Sequence, residues 1–260
     1  MIHDQLRARR SKKRKKPRER RPRGLCKLCL RMRLLCRSHI IPEACYTNHI
    51  IDPVLGHALE LGRGQDTPRR KQTGQWEHLL CEGCEAHLNE LCEKYFERVW
   101  YKENVLPDAP PRTEVVLQGL DYVKFRLFHL SVLWRLSVSQ KAPLFVDVKL
   151  AARHEENIRQ MLWRGHADYV STYAFTAVCL TLEDRVFHAI SDGQTLRPHG
   201  GVQVYVVMYG GCVWTFYIGD SVPPDVRPMA LQRNGTMRIR VEDVGTYFGV
   251  SSTRRRGRVK

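Results

Sequence analysis

The sequence has no long apolar run, and this limits what the chain can do in a membrane. None of its uninterrupted apolar stretches approaches the ~18 residues that are needed to cross a bilayer. The basic N-terminal residues are not followed by the apolar core of a signal peptide either. We therefore expect no membrane partner and a cytoplasmic location, or a nuclear one if the host is a eukaryote.

Acidic residues are scarce relative to basic ones. The chain has 27 Asp and Glu against 43 Lys and Arg, a net charge of +16, and most of the excess lies in residues 1–24 and 251–260. Basic segments of this kind suit phosphate backbones, because each contact releases condensed counterions. A merely solubilising role is the alternative. The residues that we predict to bind nucleic acid are Lys12, Lys13, Arg14, Lys15, Lys16, Arg254, Arg255 and Arg256.

Composition also divides the chain. Residues 1–24 have too few apolar side chains to offset the entropy of ordering, which predicts a disordered basic arm. A hydrophobic content of 43% over 260 residues leaves enough for real cores elsewhere. We predict a zinc module over residues 25–106, a C-terminal α+β domain over 107–250 and a basic tail over 251–260.

Nine cysteines are present, and four of them form the C-x-x-C pairs Cys26/Cys29 and Cys81/Cys84. In a reducing compartment this usage points to a metal. Zn²⁺ prefers tetrahedral thiolate ligands, and each pair supplies one edge of the tetrahedron. We predict these four as ligands of a structural zinc ion, with buried free cysteines as the alternative. Core packing is predicted for Cys36, Cys45, Cys92, Cys179 and Cys212.

Hydrophobic periodicity predicts helices first and strands later, which is an α+β pattern. The second cysteine pair opens a helix that reaches about residue 100, while residues 46–75 resemble a long surface insertion. Two further helices are predicted at about 119–137 and 151–163. The predicted strands are 173–180, 202–208, 212–218 and 237–241.

The segment between the cysteine pairs contains Ser38-His39-Ile40-Ile41-Pro42. The order C-x-x-C, then H-I-x-P, then L-C-x-x-C opening a helix resembles the HNH endonuclease superfamily over roughly residues 25–100. The resemblance implies a zinc-stapled treble-clef or ββα-metal module at the N-terminus. A helix-plus-antiparallel-sheet domain would follow it, so that the whole chain is α+β.

The resemblance also implies a reaction, the metal-dependent hydrolysis of phosphodiester bonds, in DNA rather than RNA. His39 would be the general base, and Glu85 would be a ligand of a catalytic Mg²⁺ or Mn²⁺ ion. The sequence departs from the family at Ser38, where an acid or histidine is usual, and at Glu85, where Asn or His is usual. Glu43, His49 or His87 would complete the metal shell.

A group of bacterial proteins of similar length resembles the chain more widely. It shares S-H-I-I-P, L-L-C-x-x-C-E and the L-F-x-L-S-x-L-W-R pattern of residues 127–135. The alternative to an enzyme is an inactive zinc module that binds nucleic acid or a protein partner, as in a bacterial antiviral defence assembly. A protein partner would bind through the C-terminal domain. The basic side chains Arg126, His129 and Arg135 would face nucleic acid, the active cleft or solvent, whereas Trp134 and Trp163 are predicted in the core.

Overall fold

The computed structural model describes residues 21–48, 50, 58–60, 69–71, 74–140, 147–167 and 173–249. The predicted nucleic-acid-binding residues Lys12 to Lys16 and Arg254 to Arg256 lie outside the described residues, as does His49. The same holds for nearly all of the predicted basic arm and for the basic tail.

The N-terminal half is built on a small antiparallel sheet. Its strands are β1 (Arg23–Leu25), β2 (Met32–His39) and β5 (Trp76–Cys81), in the order β1-β2-β5. A short helix α1 (Ala44–Thr47) follows β2, and β3 (Ala58–Glu60) pairs with β4 (Arg69–Lys71) as a separate hairpin inside the predicted insertion.

Helix α2 starts directly after β5 and spans residues 82–102. It alternates between α-helical turns, Glu82–Leu88 and Lys94–Glu97, and π-helical turns, Asn89–Glu93 and Arg98–Lys102. Turns of the π type are rare and occur mostly as short bulges, frequently at functional sites.

Helix α3 (Tyr122–Val138) is buried on all sides, because its sequence is apolar nearly all round. Asp121 caps its start by accepting a hydrogen bond from the Lys124 amide at 3.0 Å. The prediction that Arg126 and His129 face nucleic acid, solvent or the cleft is wrong. Arg126 is 5% exposed and bonds to Tyr122, and His129 is fully buried.

Helix α4 (Ala152–Arg164) is amphipathic and ends at Gly165, whose φ of +69° forms a left-handed cap. Glu155 lies in its first turn, where a carboxylate complements the positive end of the helix dipole. Trp163 was expected in the core but is 45% exposed, since it projects from the solvent side of this helix.

The C-terminal half contributes a mixed sheet whose main path runs β6-β12-β7-β11-β10-β9, with β8 beside β7. Neighbouring strands are antiparallel except β12 and β7, which run parallel, so the expectation of a purely antiparallel sheet is wrong. The chain between β11 and β12 passes β7, so that β12 pairs with β7 on the side opposite β11. The strands are β6 (Glu114–Leu117), β7 (Tyr173–Leu182), β8 (Arg185–Val186), β9 (Gln194–His199), β10 (Val202–Tyr209), β11 (Cys212–Ile218) and β12 (Met237–Asp243), followed by helix α5 (Val244–Tyr247).

One hydrophobic cluster runs from the N-terminal half into this sheet. At its centre the ring of Phe96 on α2 stacks on Phe128 of α3, with the centroids 3.7 Å apart. His129 packs on Trp214 of β11 at 3.9 Å, so α3 joins α2 to the sheet. The fold is thus mixed α and β, and within the described residues no helix has both the length and the apolarity to cross a membrane.

Candidate metal centre and adjoining cavity

The first cysteine pair lies in the tight turn between β1 and β2. The Cys26 amide donates to the Arg31 carbonyl at 3.0 Å, and the Leu30 amide donates back to the Cys26 carbonyl at 2.9 Å. Leu30 has a φ of +56°, an unusual value for a residue other than glycine. The turn therefore presents Cys26 and Cys29 on the same side of the backbone.

The second pair lies where β5 becomes α2. Cys81 is the last residue of β5 and the N-cap of the helix, and Cys84 lies in the first turn. The Cys81 amide donates to the Cys26 Sγ at 3.3 Å, which ties the two pairs together.

All four sulfur atoms lie within 4.8 Å of one another, and the Sγ atoms of Cys29 and Cys81 are 4.0 Å apart. Zn–S bonds of about 2.3 Å in a tetrahedron require sulfur atoms about 3.8 Å apart. The predicted ligand set is therefore brought together in a geometry that could hold zinc. In the described part of the chain no other group of three or more Cys, His, Asp or Glu side chains is gathered this closely.

A side chain from the C-terminal half contacts the turn that carries the first cysteine pair. Arg159 of α4 is nearly buried and donates from Nη1 to the carbonyl of Leu28, inside the Cys26–Cys29 turn, at 2.6 Å. Its Nε and Nη2 atoms bind the Glu156 carboxylate at 2.7 and 2.6 Å. Leu28 itself is fully buried, so a guanidinium from another part of the fold bonds to the interior of the turn that carries Cys26 and Cys29.

A cavity of about 460 Å³ lies on another face of α2, and it brings the predicted catalytic residues together. His39 reaches it from the end of β2, and Glu85 from the first turn of α2. Glu43, one of the residues expected to complete a metal shell, also lines it. His87 does not, because its Nε2 atom contacts the carbonyl of Leu162 at 2.8 Å on the other side of the helix.

The Glu85 carboxylate lies in a confined environment. Burial raises its pKa, while the charge of Arg135 and a hydrogen bond with Ser38 act in the opposite direction. Its Oε1 atom is enclosed and has no hydrogen-bond partner in the described structure. An enclosed carboxylate oxygen that lacks a donor is costly unless a cation or a proton satisfies it.

Ser38 has a structural role beneath this carboxylate. Its side chain is fully buried, and its Oγ accepts a hydrogen bond from the Leu80 amide at 3.0 Å. That amide is available because the β2–β5 register slips between Leu35 and Arg37, a bulge of the kind found beside active sites. Ser38 is not among the residues that line the cavity.

Further cavity residues were missed from the sequence. Asn89, Glu93 and Glu97 line the cavity beyond Glu85, each four positions after the last. In a regular α-helix of 3.6 residues per turn, residues four apart rotate progressively around the helix axis. The wider π-helical turns reduce this rotation, so the four residues stay on one face of α2. The four-residue spacing was the available signal.

Arg135 closes the cavity from α3. Its side chain is almost completely buried and forms an ion pair with Glu93. The sequence placed Arg135 near the cleft only as one of several alternatives, because nothing in its local pattern distinguishes it from its neighbours.

Comparison of the chain with protein-family models, with curated proteins and with solved structures gave no match.

Proposed function

We propose that the protein is an HNH-type, metal-dependent endonuclease that hydrolyses phosphodiester bonds, in DNA rather than RNA. The observation that carries the proposal is the position of His39 and Glu85, which line one cavity immediately beside the four-cysteine cluster. In this proposal the hairpin, β5 and the start of α2 form a treble clef around a structural zinc ion.

The cavity residues have the chemistry that the reaction needs. His39 would take a proton from the attacking water, since a neutral imidazole is an effective base near pH 7. Glu85 would hold a divalent cation, and its enclosed, unpartnered Oε1 atom fits a hard oxygen ligand. Glu43 and Asn89 offer further oxygen atoms. A bound Mg²⁺ or Mn²⁺ ion would neutralise the charge that develops on the phosphate and the leaving oxygen.

The remaining parts of the proposal follow from charge and cysteine chemistry. The basic segments, from Lys12 to Lys16 and from Arg254 to Arg256, would bind the phosphate backbone of the nucleic acid. Thiolates that bind zinc must stay reduced, which supports the cytoplasm, or the nucleus of a eukaryotic host, as the location.

One observation favours a second candidate. Apart from the cysteine cluster, the described residues gather no set of three metal-ligand side chains, and Glu93 is already paired with Arg135. The alternative is therefore a zinc module without cutting activity, which binds nucleic acid or a protein partner, as a subunit of a bacterial antiviral defence assembly would.

Nicking of a supercoiled plasmid with Mg²⁺ or Mn²⁺ separates the two candidates. We expect His39→Ala and Glu85→Gln each to lower the rate by about 10²-fold or more, the usual contribution of a general base. The matched controls are His87→Gln and Glu82→Gln, on the same helix but outside the cavity. All variants should keep their zinc. Cutting by His39→Ala at the parent rate would rule out the catalytic assignment, whereas nucleic-acid binding without cutting by the parent would favour the second candidate.

A further inference from the structure

The hairpin that carries the first cysteine pair exposes an unusual amount of apolar surface. Four large apolar side chains between residues 25 and 34 are 47–59% exposed: Leu25, Leu30, Met32 and Leu34. Single exposed apolar residues are ordinary, but a contiguous group of them marks an interaction site.

The strand register places these side chains together. Leu25 pairs directly with Met32 across the β1–β2 ladder, and Leu34 lies two residues further along the same strand, opposite Arg23. Cross-strand partners and residues two apart project from the same face of a sheet. We call this surface, made by Arg23, Leu25, Met32 and Leu34, the hairpin face.

A groove of about 940 Å³ borders the hairpin face. Met32 and Leu34 line it from β2, and the exposed ring of Trp163 lines it from α4. The groove lies beside the cysteine cluster and shares no lining residue with the cavity that contains His39 and Glu85. The two surfaces can therefore be altered separately.

The groove is also rich in unpaired positive charge. Arg23, Arg31 and Arg33 line it, and none of their guanidinium groups forms a hydrogen bond or an ion pair with a residue that the structure describes. Arg21, which also lines the groove, forms an ion pair with Glu82 at 3.0 Å. The surface therefore combines aliphatic side chains with three guanidinium groups that have no counter-charge among the described residues.

We propose that the hairpin face and its groove bind another protein, through a segment of that protein that carries carboxylates among aliphatic side chains. Arg, Met and Trp are the residue types that protein interfaces favour. The unpaired arginines require acidic partners, and the leucines and methionine gain from burial only against apolar groups.

The same features argue against other occupants. A nucleic acid would satisfy the arginines and could stack one base on Trp163, but it would gain little from the exposed aliphatic side chains of Leu25, Met32 and Leu34. In a symmetric pair of copies of this chain, each arginine cluster would face another of the same sign. Strand β1 has β2 on one side and no described strand on the other, so an incoming segment could also extend the sheet.

The test begins with a random-peptide display library selected on the full-length, zinc-loaded protein. The variant Met32→Ser/Leu34→Ser serves for counter-selection. We expect the enriched peptides to combine Asp or Glu with Leu, Ile or Val. In fluorescence anisotropy their affinity should fall about tenfold or more in this variant and in Arg31→Gln/Arg33→Gln.

Matched controls lie on other exposed surfaces. Val116→Ser and Arg197→Gln should leave peptide affinity unchanged, since both residues are exposed and lie far along the chain in the C-terminal sheet. His39→Ala should also bind the peptides normally, so a failure of the nuclease proposal would leave this result intact.

Three results would overturn the proposal. The first is a library that yields no peptide able to distinguish the parent from Met32→Ser/Leu34→Ser. The second is a labelled DNA duplex that loses affinity in that variant to the same degree as in Arg31→Gln/Arg33→Gln, which would identify nucleic acid as the occupant. The third is a parent dimer in light scattering that the serine variant separates, which would identify a second copy of the chain.

Discussion

Arg159 offers a direct test of how the C-terminal half supports the metal centre. In Arg159→Ala the Leu28 carbonyl would lose the guanidinium donor that lies 2.6 Å away, in a turn whose core is fully buried. A hydrogen bond from a charged donor contributes about 1.5–3 kcal/mol, and a buried carbonyl left without a donor costs a similar amount. We therefore expect the free energy of unfolding to fall by about 2 kcal/mol.

The same change should weaken zinc binding. Groups that hold metal ligands in place usually change metal affinity by about 10–100-fold when they are removed. Leu28 lies between Cys26 and Cys29, so loosening its carbonyl should disturb both sulfur positions. Competition with a colorimetric zinc chelator would measure the affinity, and urea denaturation of the zinc-loaded protein would measure stability.

Arg153→Ala is the matched control, because it removes an arginine from the same helix. Arg153 pairs with Asp220 at 2.8 Å, but both side chains are mostly exposed, so the loss should stay below about 1 kcal/mol. Arg159→Lys should recover part of the effect, since an ammonium group can still donate one hydrogen bond. Equal zinc affinity and stability in Arg159→Ala and Arg153→Ala would refute the reasoning.

Three further predictions address stability and metal content. Burial lowers the pKa of His129 well below its ordinary value, so in mild acid only the unfolded chain binds this proton. As the pH falls below about 6.5, this group should lower the free energy of unfolding by up to about 1.4 kcal/mol per pH unit. In His129→Gln the urea midpoint should therefore depend less on pH than in the parent, and equal pH dependence in the two proteins would contradict this. Gly235→Ala should lower the free energy of unfolding by more than about 2 kcal/mol, because the added Cβ would lie 2.1 Å from the Leu120 carbonyl oxygen. Gly201 also has a positive φ, of +80°, but has open space around it, so Gly201→Ala should lower the free energy of unfolding by only about 1 kcal/mol in the same urea denaturation assay. Native mass spectrometry should find one zinc ion per chain, and its chelation should raise amide exchange in the β1–β2–β5 sheet; a metal-free native protein would contradict the zinc assignment.

Local sequence rules were enough for the features that depend on local geometry. Two C-x-x-C pairs, one before a β-rich stretch and one opening a helix, predicted the sulfur cluster that the structure gathers. The alternation in residues 202–208 and 212–218 likewise predicted strands where the structure has β10 and β11, which pair from Gln203 opposite Ile218 to Tyr209 opposite Cys212. In both cases the relevant residues are close in sequence or carry a side chain with a specific chemistry.

Long-range features could not be obtained in this way. Arg135 belongs to a helix so uniformly apolar that no face is marked as outward, and its partner Glu93 lies 42 residues earlier in the chain. The parallel pairing of β12 with β7 depends on how the intervening chain crosses the sheet, which hydrophobic periodicity does not encode. Such contacts are decided by packing between elements.

Helix α2 links the cysteine cluster to the cavity, because it supplies residues to both. Cys84 and Glu85 are consecutive, so the helix turn that supplies a sulfur ligand also fixes the direction of the carboxylate. His39 is connected to the same cysteines through its strand, because β2 pairs with β5 and β5 ends in Cys81. In addition, the Oγ of Ser38 accepts a hydrogen bond from the amide of Leu80, the residue before Cys81. We therefore expect a movement of Cys81 and Cys84 relative to β2 to change the separation of His39 and Glu85. If the cavity is the site of reaction, we expect zinc binding to the cysteine cluster to affect its geometry.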